Sequence, residues 1–151
     1  MSAAGDGLIV LYDADCGICR WSMAWALRHD RGHRLIAAPI QSPLGAELLC
    51  DLTPDRRLAT AHAVGADDRL RSGGDAAAAV LERLDRTRLL GRLARSVPGM
   101  TGYLYDAVAT RRSAFGRFVG ARARRRADHL LERASVTTSA ELESRSPRRA
   151  A

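Results

Sequence analysis

The residues best suited to chemistry are Cys16 and Cys19, which are separated by two residues in "LYDADCGICRW". Two thiols at this spacing can exchange electrons as a dithiol and a disulfide, or they can ligate a metal ion. Exchange requires a thiolate, and the start of a helix stabilises that anion through unpaired N–H groups and a positive dipole end. A helical pattern follows the pair. We therefore predict that Cys16 is the attacking thiol at a helix N-terminus and that Cys19 is the resolving thiol.

Four neighbours belong to this candidate site because of their types and positions. Gly17 leaves the approach to Cys16 open, and Trp21 lies just behind the pair on the predicted helix. Asp15 is interpreted either as a helix cap or as a carboxylate whose charge opposes a Cys16 thiolate. Asp13 follows the apolar run. If it is buried beside Cys19, it can take the proton of the resolving thiol as a general base.

A metal site is the first alternative, because His29 and His33 follow the cysteines. The spacing C-x2-C-x9-H-x3-H is similar to that of a zinc site with two Cys and two His ligands. However, an unbroken helix from Cys19 would place His29 about 15 Å away, at about 1.5 Å per residue. The spacing therefore favours exchange chemistry over zinc, and we expect no bound metal.

The charged residues of the chain limit which other functions it can have. All 24 basic residues are Arg, which excludes a Lys nucleophile, and the net charge is +7. Residues 111–126 contain seven Arg and no acid. Such a segment can hold phosphate, anionic lipid, an acidic partner or nucleic acid, or it is a solvated helix face. Its aromatic residues, Phe115 and Phe118, have the spacing of core residues, so nucleic acid is not the favoured partner. A redox-silent interaction protein is the remaining alternative.

The cysteine count and the apolar runs indicate the compartment. The chain has three cysteines, an odd number, and a secreted disulfide scaffold is therefore not expected. Cys50 has no partner in the sequence, and we predict that it is buried and inert. The start "MSAAGDG" lacks the pattern of a signal peptide, and no run approaches 18 apolar residues. These features predict a cytoplasmic protein without a membrane span.

The elements that must position the cysteines begin with a βαβ unit. Leu8–Tyr12 predicts a buried strand, residues 19–29 a helix and residues 34–40 a second strand. The pattern further along the chain predicts a short helix at 44–52, a loop at "PDRR" (54–57), strands at 59–65 and 69–71, a helix that Asp75 caps, and helices near 89–96 and 104–119.

This order predicts an α/β fold with a thioredoxin-like βαβ-ββα core and additional C-terminal helices, because a CxxC motif after the first strand is typical of that fold. We expect one domain over residues 8–134. Residues 1–7 are expected to be a flexible start. Residues 135–151, rich in Ser, Thr, Glu and Arg, are expected to be a disordered tail.

The stretch "YDADCGIC" resembles the opening motif of the DCC family of thiol-disulfide oxidoreductases, with matches at Tyr12, Asp13, Cys16 and Cys19. Three later stretches, "PIQSPLGAELL", "SGGDAAAAVLERL" and "YDAVATRR", also resemble family segments. They contribute a possible second motif of Asp75, Tyr105 and Arg112. The resemblance implies a thioredoxin-like fold and a redox-active Cys16–Cys19 disulfide without another cofactor. The resemblance implies no particular substrate, and the exchange chemistry predicts a protein or low-molecular-weight thiol or disulfide.

Overall fold

A computed structural model describes residues 7–97, 122–123 and 125–134. Several predictions concern residues outside these ranges. They are the flexible start apart from Gly7, the helix near 104–119, the Tyr105 and Arg112 motif, most of the Arg-rich segment 111–126, and the tail 135–151.

Nine helices and strands lie along residues 8–96, and residues 125–134 are also helical. In chain order they are β1 (Leu8–Tyr12), α1 (Gly17–His29), β2 (Leu35–Pro39), α2 (Pro43–Leu48), α3 (Pro54–Ala59), β3 (His62–Val64), β4 (Leu70–Ser72), α4 (Gly74–Arg83) and α5 (Arg88–Ser96).

The four strands form one mixed sheet in the order β2-β1-β3-β4. β1 and β2 are parallel, so the chain must cross over between them, and α1 is that crossover. β3 is antiparallel to β1, and β4 is antiparallel to β3. The predicted α/β class and thioredoxin-like βαβ-ββα order are confirmed. The parallel pairing also places the carboxyl ends of β1 and β2 at one edge, where the Ile40 N–H donates to the Tyr12 carbonyl at 2.9 Å.

The core lies on both faces of the sheet because β1 is apolar throughout. Leu8, Val10 and Tyr12 pack on one face in a cluster that includes residues of α1, α4 and the helical residues 125–134. Leu11 packs on the other face with Leu49 and residues near β2. Successive side chains of a strand point to opposite faces, and a strand covered on both sides therefore carries no polar alternation.

Two local predictions are wrong. "PDRR" is part of α3 and not a loop, because Pro54 has the backbone angle of a first helical residue and Asp55 suits the positive helix end. Asp75 does not cap α4. The N-cap is Gly73, with φ 58°, a conformation that glycine adopts without strain, and Asp75 lies in the first turn.

Cys50 is exposed and not buried as predicted. α2 ends at Leu48, and Leu49 takes the core position with no exposed surface. The next residue is directed away from the core, so the chain carries one accessible thiol besides the CxxC pair.

His62 is the most deeply buried polar side chain of the described residues, with 1 % of its surface exposed. Its Nε2 lies 3.1 Å from the Arg57 carbonyl oxygen, which can only accept, so Nε2 carries the proton. Nδ1 then accepts from the Ser72 hydroxyl at 2.8 Å. The ring joins α3, β3 and β4 in its neutral form. Burial lowers the pKa of His62, and hydrogen bonds with backbone carbonyls oppose that shift.

We predict that the protein loses stability as the pH falls below about 6.5, the ordinary pKa of histidine. The folded state resists protonation of His62, so the unfolded state binds more protons in this range and the free energy of unfolding falls. Urea unfolding at pH 7.5 and pH 5.5 measures the change. His62→Gln should be less stable at pH 7.5 and should show a smaller difference between the two pH values. An equal pH difference in both proteins would contradict the assignment.

Candidate active site

The cysteine pair lies where β1 passes into α1. Cys16 is the N-cap of α1 with extended backbone angles, φ −93° and ψ 110°, and the helix begins at Gly17. The Cys19 N–H donates to the Cys16 sulfur over 3.4 Å. The two sulfur atoms lie at disulfide distance and the Cα atoms are 5.2 Å apart, which suits a disulfide. The helix therefore directs a donor, and its positive end, at the sulfur that precedes it.

The loop before Cys16 is held by Gln41, which follows β2. The Gln41 side-chain amide donates to Asp13 Oδ1 at 2.8 Å and to Asp15 Oδ2 at 3.4 Å. Its Oε1 accepts from the Ala14 N–H at 3.1 Å. One side chain thus contacts three successive residues of the loop. Sequence reasoning missed Gln41, because only the parallel pairing of β1 and β2 brings it to this loop.

The carboxylates of Asp13 and Asp15 lie in different surroundings. Asp13 Oδ1 also accepts from the Asp15 N–H at 2.9 Å, which closes a turn before the N-cap. Asp15 is exposed and does not cap α1, since the Cys16 sulfur occupies that role. Of the two interpretations of Asp15, the helix cap is therefore wrong. Asp13 is partly buried, and it lines the same cavity as Cys19.

Gly17 and Trp21 lie one helical turn apart on α1. A Cβ atom placed on Gly17 would meet no atom within 4 Å, so the space beside Cys16 is open. Trp21 is 39 % exposed and does not line the cavity beside Cys19. These two residues form the accessible side of the site, as the sequence predicts for Gly17.

Tyr12 lies beneath the start of α1 and is buried in the core. Burial raises the pKa of Tyr12, the charge of Arg20 opposes that shift, and the charge of Asp128 adds to it. Arg20 forms an ion pair with Asp128, which joins the first turn of α1 to the helical residues 125–134. Both side chains are about one third exposed, so the pair contributes little energy, about 0–1 kcal/mol. Arg20 and Asp128 are far apart in the chain, so the sequence gave no signal that they would pair.

A cavity of about 370 Å³ opens beside Cys19. Residues of α1, α4, the end of β1 and the segment before β3 form its walls. Cys16 is not among the lining residues. The two sulfurs therefore have different surroundings: Cys16 is at the open end of the helix, and Cys19 faces a largely apolar cavity that also contains Asp13.

The residues of the zinc alternative do not come together. α1 is continuous over Gly17–His29, so His29 is at the far end of the helix from the cysteines. Its Nδ1 lies 2.8 Å from the Trp25 carbonyl oxygen, and its ring packs on Trp25 with centroids 4.5 Å apart. Among the described residues, which include Cys16, Cys19, His29 and His33, no group of three or more potential ligands could hold a metal ion.

A thioredoxin-like sheet with a CxxC pair at the start of its first helix defines a thioredoxin-like domain with a dithiol site. A family model described as DCC1-like thiol-disulfide oxidoreductase matches residues 10–118, and the chain belongs to this family. The predicted resemblance is confirmed. Searches of curated proteins and of solved structures found no match. Within the described part of the chain, no helix has the length and apolar character needed to cross a membrane.

We predict that Gln41→Leu lowers the reactivity of reduced Cys16, because it removes the hydrogen bonds that the Gln41 side chain makes with the loop. The loop would no longer hold the Cys16 sulfur against the Cys19 N–H, so a smaller fraction of Cys16 would be thiolate at pH 7. A net hydrogen bond contributes about 0.5–1.5 kcal/mol, which corresponds to a loss of about twofold to thirteenfold in the rate at which iodoacetamide alkylates Cys16, measured with Cys50→Ser as the background. The midpoint of the pH–rate profile should move to higher pH.

Glu47→Leu, at an exposed position of α2, is the matched control and should leave the profile unchanged. A role of Gln41 in stability alone would lower the melting temperature of the variant while its alkylation profile stayed at the wild-type midpoint. That result would contradict the positioning role.

Proposed function

We propose that the protein is a thiol-disulfide oxidoreductase in which Cys16 attacks the substrate disulfide and Cys19 resolves the product. The observation that carries the proposal is the hydrogen bond from the Cys19 N–H to the Cys16 sulfur at the N-terminus of α1. It gives Cys16 a donor that would stabilise its thiolate, both as nucleophile and as leaving group. Membership in the DCC1-like family supports the same chemistry.

The reaction proceeds in two exchanges. The Cys16 thiolate attacks one sulfur of a disulfide R–S–S–R, which breaks the S–S bond, forms a mixed disulfide on Cys16 and releases one thiolate R–S⁻. The Cys19 thiolate then attacks the Cys16 sulfur and releases the second R–S⁻. Two electrons pass from the protein dithiol to the substrate, and the protein retains the Cys16–Cys19 disulfide. The steps reverse when a thiol is the substrate. The cysteine pair carries the electrons, and no other cofactor is part of the proposal.

The order of the two cysteines follows from their positions. Cys16 precedes the helix beside the open space at Gly17, where a substrate can approach. Cys19 is one turn inside the helix, and its Cα is 5.2 Å from that of Cys16, so it can reach a mixed disulfide there. The substrate class is a protein or low-molecular-weight thiol or disulfide. The cytoplasm is the proposed location, where thiols are kept reduced and a CxxC pair is more often catalytic than structural.

Asp13 is the proposed general base for Cys19. The two residues line one cavity, so a proton can pass from the thiol to the carboxylate directly or through water. Asp13 Oδ1 is occupied by the Asp15 N–H and the Gln41 amide. No hydrogen bond from a described residue reaches Oδ2, which is the oxygen left to accept the proton.

We predict a reversible two-electron transition between Cys16 and Cys19 in a glutathione redox titration, read by alkylation and peptide mass. Cys50→Ser should serve as the background, because Cys50 is exposed and would form its own mixed disulfides. In that background, Cys19→Ser should accumulate one mixed disulfide per chain on Cys16. Cys16→Ser should accumulate much less, since the remaining thiol lies inside the helix.

Zinc is counted in the same sample before and after treatment with a chelator. One zinc per chain, with no redox transition until the metal is removed, would overturn the proposal. Equal trapping of glutathione by the two single-cysteine variants would contradict the assigned order of attack and resolution.

We predict that Asp13→Asn slows the resolving step about tenfold or more, because the amide cannot accept the proton of Cys19. In the Cys50→Ser background, the reduced protein with 5,5′-dithiobis(2-nitrobenzoate) releases one coloured thiolate on attack and a second on resolution, so stopped-flow absorbance separates the steps. The second phase should slow while the first changes less. The asparagine keeps an oxygen for the turn, and Asp15→Asn, on the exposed carboxylate, is the control. A second phase at the wild-type rate would remove Asp13 from the mechanism.

A further inference from the structure

The side chains that line the cavity beside Cys19 are mostly apolar and suit an uncharged group. α1 contributes Trp25 and Ala26, and α4 contributes Ala77 and Val80. Asp13 is the only charged side chain among the described lining residues. The volume of about 370 Å³ falls within the range of small-molecule sites, about 300–1,000 Å³, and is far larger than one water molecule requires.

Thr60 lines the cavity on the segment before β3. Its Oγ1 is buried and has no hydrogen-bond partner among the described residues. Because this oxygen has almost no accessible surface, a molecule in the cavity does not reach it, and Thr60 contributes its other atoms to the wall.

The charge of the cavity distinguishes classes of thiol. Glutathione carries two carboxylates, and no described lining residue is a cation that could pair with them, while Asp13 would repel them. An apolar substituent would bury its surface against the alanines, Val80 and Trp25, and the removal of that surface from water favours binding. The walls therefore favour a neutral, apolar thiol over an anionic one.

We infer that this cavity binds the uncharged, apolar substituent of the thiol or disulfide substrate. The inference rests on the proposed exchange function. The substituent would lie against Cys19 while the substrate sulfur is bound to Cys16, the other cysteine of the pair. Selectivity then arises beside the resolving sulfur, whereas the attacking sulfur stays open.

The first test measures binding with probes that cannot exchange. 2-(Benzylthio)ethanol is a neutral thioether with an aromatic group and a hydroxyl, and S-methylglutathione is its charged counterpart. Trp21→Phe leaves Trp25, in the cavity wall, as the only tryptophan, so its fluorescence reports occupancy. We expect a saturable change with 2-(benzylthio)ethanol and none with S-methylglutathione at the same concentrations.

Two variants locate the binding. Ala77→Phe fills the cavity and should weaken the affinity for 2-(benzylthio)ethanol at least tenfold, while Ala46→Phe, at an exposed position of α2, should leave it unchanged. Val80→Ala removes apolar surface from the cavity wall and should weaken the affinity about threefold to tenfold. It serves as the test if Ala77→Phe does not fold by circular dichroism. The absence of saturable binding to the Trp21→Phe protein, or unchanged affinity in the folded cavity variants, would overturn the inference.

The second test separates the inference from the proposed function. Reduced protein is mixed with benzyl 2-hydroxyethyl disulfide or with glutathione disulfide, and each rate is divided by that of 2-mercaptoethanol with the same disulfide. We expect the ratio for the benzyl compound to be at least tenfold higher. If the two ratios are equal and the protein reacts faster than the uncatalysed reaction with both disulfides, the cavity inference is overturned and the exchange function stands. No exchange with either, together with binding of the thioether, would overturn the exchange function and leave a neutral-ligand site.

Discussion

The hydrogen bond from the Cys19 N–H to the Cys16 sulfur is the interaction on which the rest of the site depends. It exists because Cys16 keeps an extended backbone while Gly17 is already helical, so the sulfur stands in front of the helix and not along its side. A shift of the helix start by one residue would direct the N–H group elsewhere. The loop before Cys16, and the strand edge that holds that loop, therefore determine the chemistry as much as the cysteines do.

The two strands that pair with β1 support the start of α1 in different ways. The parallel partner of β1 ends beside it and supplies Gln41, which holds the loop by hydrogen bonds. The antiparallel partner, β3, begins on the opposite side, and Thr60 just before it contributes to the cavity wall. One strand thus supports the loop before Cys16, and the other contributes to the surroundings of Cys19. The mixed order of the sheet is what permits both.

The local part of the site could be predicted from the sequence, because an apolar strand, a turn and a helical pattern all lie within residues 8–29. The class of fold also followed from the order of the elements. Cys50 was misplaced because an unpaired cysteine carries no periodicity, and Asp75 because a glycine with positive φ began the helix first. Gln41 and Thr60 were not found, since their roles arise from strand pairing and burial, which no spacing along the chain encodes.

The packing of residues 125–134 has a consequence for the growing chain on the ribosome. Ala127 and Leu131 belong to the core cluster that also contains Leu8 and Val10, at the other end of the domain. The cysteine pair needs only one helical turn to come together, whereas this part of the core must wait until residues 125–134 have been synthesised. Cys16 and Cys19 can therefore meet a disulfide before Tyr12 is fully covered. Exchange with that disulfide would oxidise the pair of a nascent chain before its fold is complete.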